Sequence, residues 1–305
     1  MYKFLSFIFI FLYTGCISPS TNKEQTFRVA VLRGPSAIAF AGWFDHPPVI
    51  NGTPMSLKII DSPEQMQALL VKGEADLAAL PMNTAANLYN KGLPYYLLGC
   101  PVWGTLYIVG KEPLPDSKQP TIHVFGTGTA PDILTRYYLE KYPGEYKLNY
   151  SLGTAREVMA GLLTGKVEYA VLSEPFVSMA LNRDSTLQIV ADLNRFIDGQ
   201  TAFPQTALVY SGDVSHLKDT LVSLLADASR FVHEKPYETI CILEEQKVFA
   251  SGMLVPNTLE RCRIDFIPAC RIGSNVDLYL QLIYKYEPRA IGGKIPDNTF
   301  LTGNR

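Results

Sequence analysis

Side chains able to hold a small polar molecule gather at four turns of this 305-residue chain. Gly34-Pro35-Ser36 and Met82-Asn83-Thr84 make one pair, Thr127-Gly128-Thr129 and Ser173-Glu174 the other. Each turn follows a strand-like apolar run and opens a helical one, which sets hydroxyls, an amide or a carboxylate beside the unpaired N–H groups of a helix start. Ser36, Thr84 and Thr129 can each cap their own helix or bind a ligand oxygen. Glu174 is the carboxylate of the set. At a helix start it gains about 0.3–1 kcal/mol from the macrodipole. Facing a cleft, it holds a cationic or amino-bearing ligand through charge-assisted hydrogen bonds and disfavours a simple anion. Trp103 and Phe203 offer faces that sandwich a ring or pack into a core, and Gln205 adds an amide. Arg33 binds a ligand carboxylate or pairs with an acidic neighbour, the second being the expectation. Asp76 and Glu168 precede buried strands and are expected as solvated turn residues, and Trp43-Phe44 as part of an apolar helix face.

These turns are positioned by a pattern that occurs twice. Ser62-Pro-Glu-Gln65 opens like a capping box and leads through Leu69-Leu70 to Gly73, then to the buried run Leu77–Leu80. Thr154-Ala-Arg-Glu157 does the same through Leu162-Leu163 to Gly165 and Tyr169–Leu172. The breaks at Gly34 and Gly126 stand at the same offset. Within each copy strands and helices alternate: Phe27–Leu32, Ser56–Ile60 and Leu77–Leu80, then Thr121–Phe125, Lys147–Ser151 and Tyr169–Leu172. That alternation predicts βαβ units with parallel strands, and right-handed crossovers place all strand-to-helix turns at one edge of each sheet. The fold class is α/β, with one lobe from 27–106 plus 207–305 and another from 107–206. Segments near Trp103 and Phe203 cross between them, giving a hinge and a cleft. The helical tail, expected over Asp213–His233, Pro236–Gln246 and Asn275–Tyr286, returns to the first lobe.

Residues 1–16 form an export signal: Lys3, an apolar run from Phe4 to Tyr13, and Gly15 before Cys16. The run is shorter than the ~20 residues that span a bilayer as a helix. Gly before Cys resembles the bacterial lipobox, which makes Cys16 a lipid anchor. Tyr13 stands where that motif has Leu, so a plain cleaved signal is the alternative. Residues 17–26 are a polar tether. A net charge of −2 with 18% charged residues gives no field for nucleic acid. The four His and five Cys show no metal or redox spacing, so neither metal nor cofactor is expected. No Ser–His–Asp or paired-carboxylate pattern marks an enzyme. Export permits disulfides, and Cys262 and Cys270, flanking Ile264–Ile267, are candidates for a local bridge.

Arg33-Gly34-Pro35, Gly73-Glu-Ala-Asp76, Leu80-Pro81-x-Asn83, Trp103-Gly-Thr-Leu106, Glu174-Pro175 and Ile291–Asp297 together resemble periplasmic solute-binding proteins of ABC importers. The nearest branch binds nitrate, sulfonates, taurine and thiamine-pyrimidine precursors, and the resemblance runs from Phe27 to Leu301. It implies a type II periplasmic binding protein fold, a monomer that closes over one small molecule, and partners in a membrane permease and its ATPase. The site expected at the strand ends and crossovers draws on Ser36, Asn83, Thr84, Trp103, Thr127, Thr129, Glu174 and Gln205. Glu174 with aromatic stacking directs the expectation toward an aminopyrimidine or similar nitrogen-containing ligand. A sulfonate- or nitrate-type anion is the alternative ligand. An enzyme of pyrimidine or menaquinone precursor metabolism on the same fold is the alternative class.

Overall fold

A computed structural model of the chain describes residues 26–115, 119–142, 144–195 and 202–303. The export signal, Cys16 and all but the last residue of the tether lie outside the described residues. The strands are β1 (Phe27–Leu32), β2 (Val49–Ile50), β3 (Thr53–Ile60), β4 (Leu77–Pro81), β5 (Tyr95–Val102), β6 (Leu106–Gly110), β7 (Thr121–His123), β8 (Lys147–Asn149), β9 (Tyr169–Ser173), β10 (Gln188–Asp192), β11 (Thr206–Ser211) and β12 (Ile264–Pro268). They form two sheets, ordered β12-β5-β11-β4-β1-β3-β2 and β10-β6-β9-β7-β8. The chain leaves the large sheet after Val102 and re-enters it at Thr206, so two short crossovers join the lobes.

Each sheet holds a parallel trio, β3-β1-β4 in one and β8-β7-β9 in the other. The βαβ units expected from the repeat are therefore present. The crossover strands run antiparallel to the trios, β11 against β4 and β6 against β9. A chain that returns through a crossover has no helix to reverse it, so antiparallel pairing is what its direction allows.

The repeat is visible in its hydrogen bonds. Ser62 Oγ accepts from Gln65 N at 3.3 Å, and Thr154 Oγ1 from Glu157 N at 3.2 Å. Only the second copy completes the box, with Glu157 Oε2 taking the Thr154 N–H at 2.9 Å. Both helices end in a Schellman motif. Gly73 N donates to Leu70 O and Glu74 N to Leu69 O, as Gly165 N does to Leu162 O and Lys166 N to Gly161 O. Gly73 and Gly165 adopt φ of 66° and 72°, a left-handed backbone that glycine enters without a Cβ clash.

Alternate residues of the large sheet feed two cores. Val29, Val31, Leu77, Ala79 and Leu98 meet the helices Lys218–Glu234 and Pro256–Cys262. Ala30, Ala78, Leu80 and Leu97 meet Pro63–Val71, Met82–Asn90 and Ala269–Tyr286. The tail thus packs on the first lobe, and its last long helix begins at Ala269, earlier than expected, running through Gly273 and Ser274. Trp43 is buried and meets Phe40 edge-on at 5.0 Å. Glu168 is exposed.

Asp76 is not the solvated turn residue expected. Its carboxylate accepts from Arg28 N at 2.7 Å and pairs with Arg28 Nη2 at 2.6 Å, tying the entries of β1 and β4. Nor do Cys262 and Cys270 bridge. All four described cysteines are free, with Cys262 buried and Cys270 exposed. A five-residue strand between them spans roughly 17 Å, far beyond the ~4.4–6.8 Å between Cα atoms that a disulfide permits. Among the described residues no helix is long and apolar enough to cross a membrane.

Candidate functional site

Four of the expected residues meet where the large sheet gives way to the crossovers. Ser36, on the short helix after β1, is buried with its hydroxyl 3.1 Å from that of Thr206. Gln205 precedes Thr206, and its carbonyl accepts the N–H of Met82 at 3.0 Å. Asn83 and Thr84 follow on the first turn of the helix Met82–Asn90, half-buried. Pro81 is that helix's cap residue and supplies no side-chain cap. This turn therefore presents polar side chains and open N–H groups together. The Gln205 side chain belongs partly to the hinge, because its Oε1 accepts from Thr105 Oγ1 at 2.9 Å and joins the two crossovers.

The second lobe meets this cluster through Glu174, whose N–H donates to Thr105 O at 3.1 Å. Its carboxylate does not stand open at a cleft mouth. It is 1% exposed, and Arg261 Nε of the first lobe donates to Oε1. Ser178 Oγ donates to Oε2 at 2.8 Å and Ser178 N at 3.2 Å. Arg261 Nη2 also reaches Ser178 Oγ at 2.6 Å, as does Thr258 Oγ1 at 2.8 Å. Burial pushes the Glu174 carboxyl above its ordinary value, while Arg261 and Ser178 pull it back. Arg261 lies 87 residues from Glu174 and was absent from the expected set. Sequence carries no local signal for it, since the pair forms only when the lobes meet.

The turn at Gly126–Thr129 is largely occupied with itself. Thr129 Oγ1 donates to Gly126 O and caps no helix N–H, and Asp132 takes the Gly128 N–H at 2.8 Å just ahead of the helix. Thr127 and Thr129 are exposed, and the nearest neighbour of Gly128 across the lobes is Glu287. The aromatic sandwich is not assembled either. Phe203 is fully buried and stacks on Tyr279 at 5.1 Å, while the Trp103 indole N–H donates to Asp265 O at 2.8 Å, beside β12. Arg33 forms the ion pair expected of it, with Asp61 at 2.6 Å. Three further contacts tie the lobes: Arg263 to Asp192 at 2.9 Å, Lys285 to Glu140 at 2.9 Å, and Arg136 over the Tyr286 ring at 5.1 Å. Among the described residues no group of three His, Cys, Asp or Glu side chains could hold a metal ion.

Two lobes laced through a double crossover, with polar loops facing across it, have counterparts among solved structures. An ABC transporter protein from Parabacteroides distasonis is 48% identical over 90% of this chain and 98% of its own, at a TM-score of 0.86. The chain belongs to the substrate-binding proteins of ABC transporters. The fold of this substrate-binding protein also matches the periplasmic aliphatic sulphonate binding protein SsuA of Escherichia coli. There the TM-score is 0.66 at 15% identity, over 92% of this chain and 94% of SsuA. The periplasmic nitrate-binding protein NrtA of Synechocystis aligns at 0.51 and 15%, over 74% and 67%. The architecture is that of a periplasmic binding protein with two α/β lobes. No protein-family model matches the sequence, and a search of curated proteins returned no match.

Proposed function

We propose that this substrate-binding protein is exported, held at the cell envelope by a lipid on Cys16, and passes a small polar solute to a membrane permease driven by a separate ATPase. Lobes 27–106 with 207–305 and 107–206 close over the solute, which selects the closed state by its greater affinity for it. The solute rests on Ser36, Asn83, Thr84 and Gln205, neutral groups rich in donors. One observation supports the choice of ligand class: the Glu174 carboxylate is already paired with Arg261. A site whose carboxylate is engaged, and whose remaining groups are hydroxyls, amides and backbone N–H, suits ligand oxygens better than an aminopyrimidine. We therefore favour an oxyanion-bearing solute of the sulfonate or nitrate type. The reading is of a binding protein rather than an enzyme.

The test is the identity of the molecule retained by the purified protein, read by mass spectrometry after denaturation. Calorimetry with an alkanesulfonate, nitrate and an aminopyrimidine follows. Binding of the aminopyrimidine alone would overturn the ligand class, and conversion of the bound molecule would overturn the non-enzymatic reading.

A further inference from the structure

A cavity of about 650 Å³ lies behind the hinge, and none of Ser36, Asn83, Thr84, Gln205 or Glu174 lines it. Its walls include Trp103, Ile264, Ile272, Arg263, Arg271 and Asn275. The sheet orders fix where it is. β12 and β10 are edge strands of the two sheets, and β12 lies beyond β5 and β11 from β1 and β4. Arg263 immediately precedes β12, and Asp192, its partner in the other lobe, closes β10. The cavity therefore opens on the opposite side of the crossovers from the polar turns of the first lobe.

Its chemistry is that of an amphiphilic anion site. The floor is apolar, made by Trp103, Ala202, Ile264 and Ile272, all buried. Two guanidinium groups stand above it. Arg263 Nη2 is bound to Asp192, but Arg263 Nη1 is buried with no hydrogen-bond partner among the described residues. Arg271 is exposed and enters no ion pair among the described residues. His233 adds an imidazole to the lining, and Asp265 a carboxylate. Among the lining residues Arg263 and Arg271 face Asp265, and Arg263 shares Asp192 with Arg195, which lies 3.6 Å from it.

We propose a second ligand site here, for a small organic monoanion with an apolar body, distinct from the transported solute. Its head pairs with Arg271 beside the Arg263 wall, and its body lies against Trp103 and the isoleucines. Because Arg263 also ties the lobes through Asp192, and the Trp103 N–H donates to Arg263 O at 3.2 Å, occupancy is coupled to the hinge.

The probe is 1-anilinonaphthalene-8-sulfonate, an aromatic sulfonate whose fluorescence rises in apolar sites, titrated into the full mature chain. Saturable one-site binding with energy transfer from tryptophan is expected, and Arg271→Glu should weaken it about tenfold or more. Arg271→Gln, which keeps a polar side chain of similar reach, should give a smaller loss, and Asn83→Ala should leave dye affinity unchanged. Absence of saturable binding, or equal affinity in wild type and both Arg271 variants, overturns the proposal. So does loss of the dye in Asn83→Ala with retention in Arg271→Glu, which would place it in the solute cleft.

Discussion

Arg261→Met is the perturbation with the clearest expected magnitude. It keeps aliphatic bulk but removes the counter-charge of a carboxylate that is 1% exposed. Ser178 still donates to that carboxylate, yet no described cation replaces the guanidinium. The variant must bury a charge, protonate Glu174 or open its lobes. Protonating a carboxyl of ordinary value 4.5 at about pH 7.5 costs roughly 4 kcal/mol, at ~1.36 kcal/mol per unit. That agrees with the ~3–5 kcal/mol lost when one partner of a buried pair is removed. For a chain of this size the melting temperature falls by roughly 10 °C. Thermal unfolding followed by circular dichroism measures it, and small-angle scattering detects opening as a larger radius of gyration. Glu174→Gln added to Arg261→Met should recover most of the loss, because a neutral amide still accepts from Ser178. A loss under about 1 kcal/mol with unchanged scattering would refute the assignment of this pair as a buried inter-lobe tie.

The same carboxyl predicts a pH dependence. Its folded-state value is raised above the ordinary 4.5, so the folded protein binds more protons in the window between them. Its contribution to stability therefore falls as pH rises through that window, and Glu174→Gln should flatten the profile, as denaturation at a series of pH values will show. Gly165→Ala and Gly73→Ala force a side chain into left-handed backbone and should each destabilise by about 1–2 kcal/mol in urea titrations; no effect would contradict the Schellman assignment. Thr154→Ala should lose about 1 kcal/mol, and Ser62→Ala less, because only Thr154 sits in a complete box. Asn83→Ala should weaken solute binding about three- to tenfold in calorimetry, whereas Thr129→Ala should leave it unchanged. Alkylation without reduction, read by mass spectrometry, should label both Cys262 and Cys270 in the denatured protein.

What was legible in the sequence is what the chain decides locally. A capping serine, a stop glycine and a buried strand each act within a turn or two, so their repetition announces two βαβ lobes. Even there the symmetry is imperfect: Gln65 opens the first copy where Glu157 opens the second, and only the glutamate reaches back to its cap. The site was legible in its positions and less so in its partners. Asn83 and Ser36 stand where strand ends predict. Glu174 pointed to a ligand because a lone carboxylate at a strand end has no visible partner, and Arg261 becomes one only through lobe contact. Phe203 and Trp103 occupy matching crossovers, but their rings were claimed by Tyr279 and by the β12 edge, choices made by packing across the sheet. Asp76 read as solvated for the same reason, its partner Arg28 lying 48 residues away on β1.

Met82 and Glu174 occupy equivalent places in the two copies, and each donates its backbone N–H to a crossover carbonyl, Gln205 and Thr105 respectively. The side chains of Thr105 and Gln205 then bond to each other. A lever moves least at its fulcrum, and these bonds fasten the third-strand loop of each lobe to the fulcrum itself. Asn83 follows one of these bonds and Gln205 accepts it, so both sit at the fulcrum. The turn at Gly126–Thr129 bonds instead within its own lobe, through Gly126 O and Asp132. The backbone bonds at Met82 and Glu174 thus mark, in each lobe, the strand end held at the hinge.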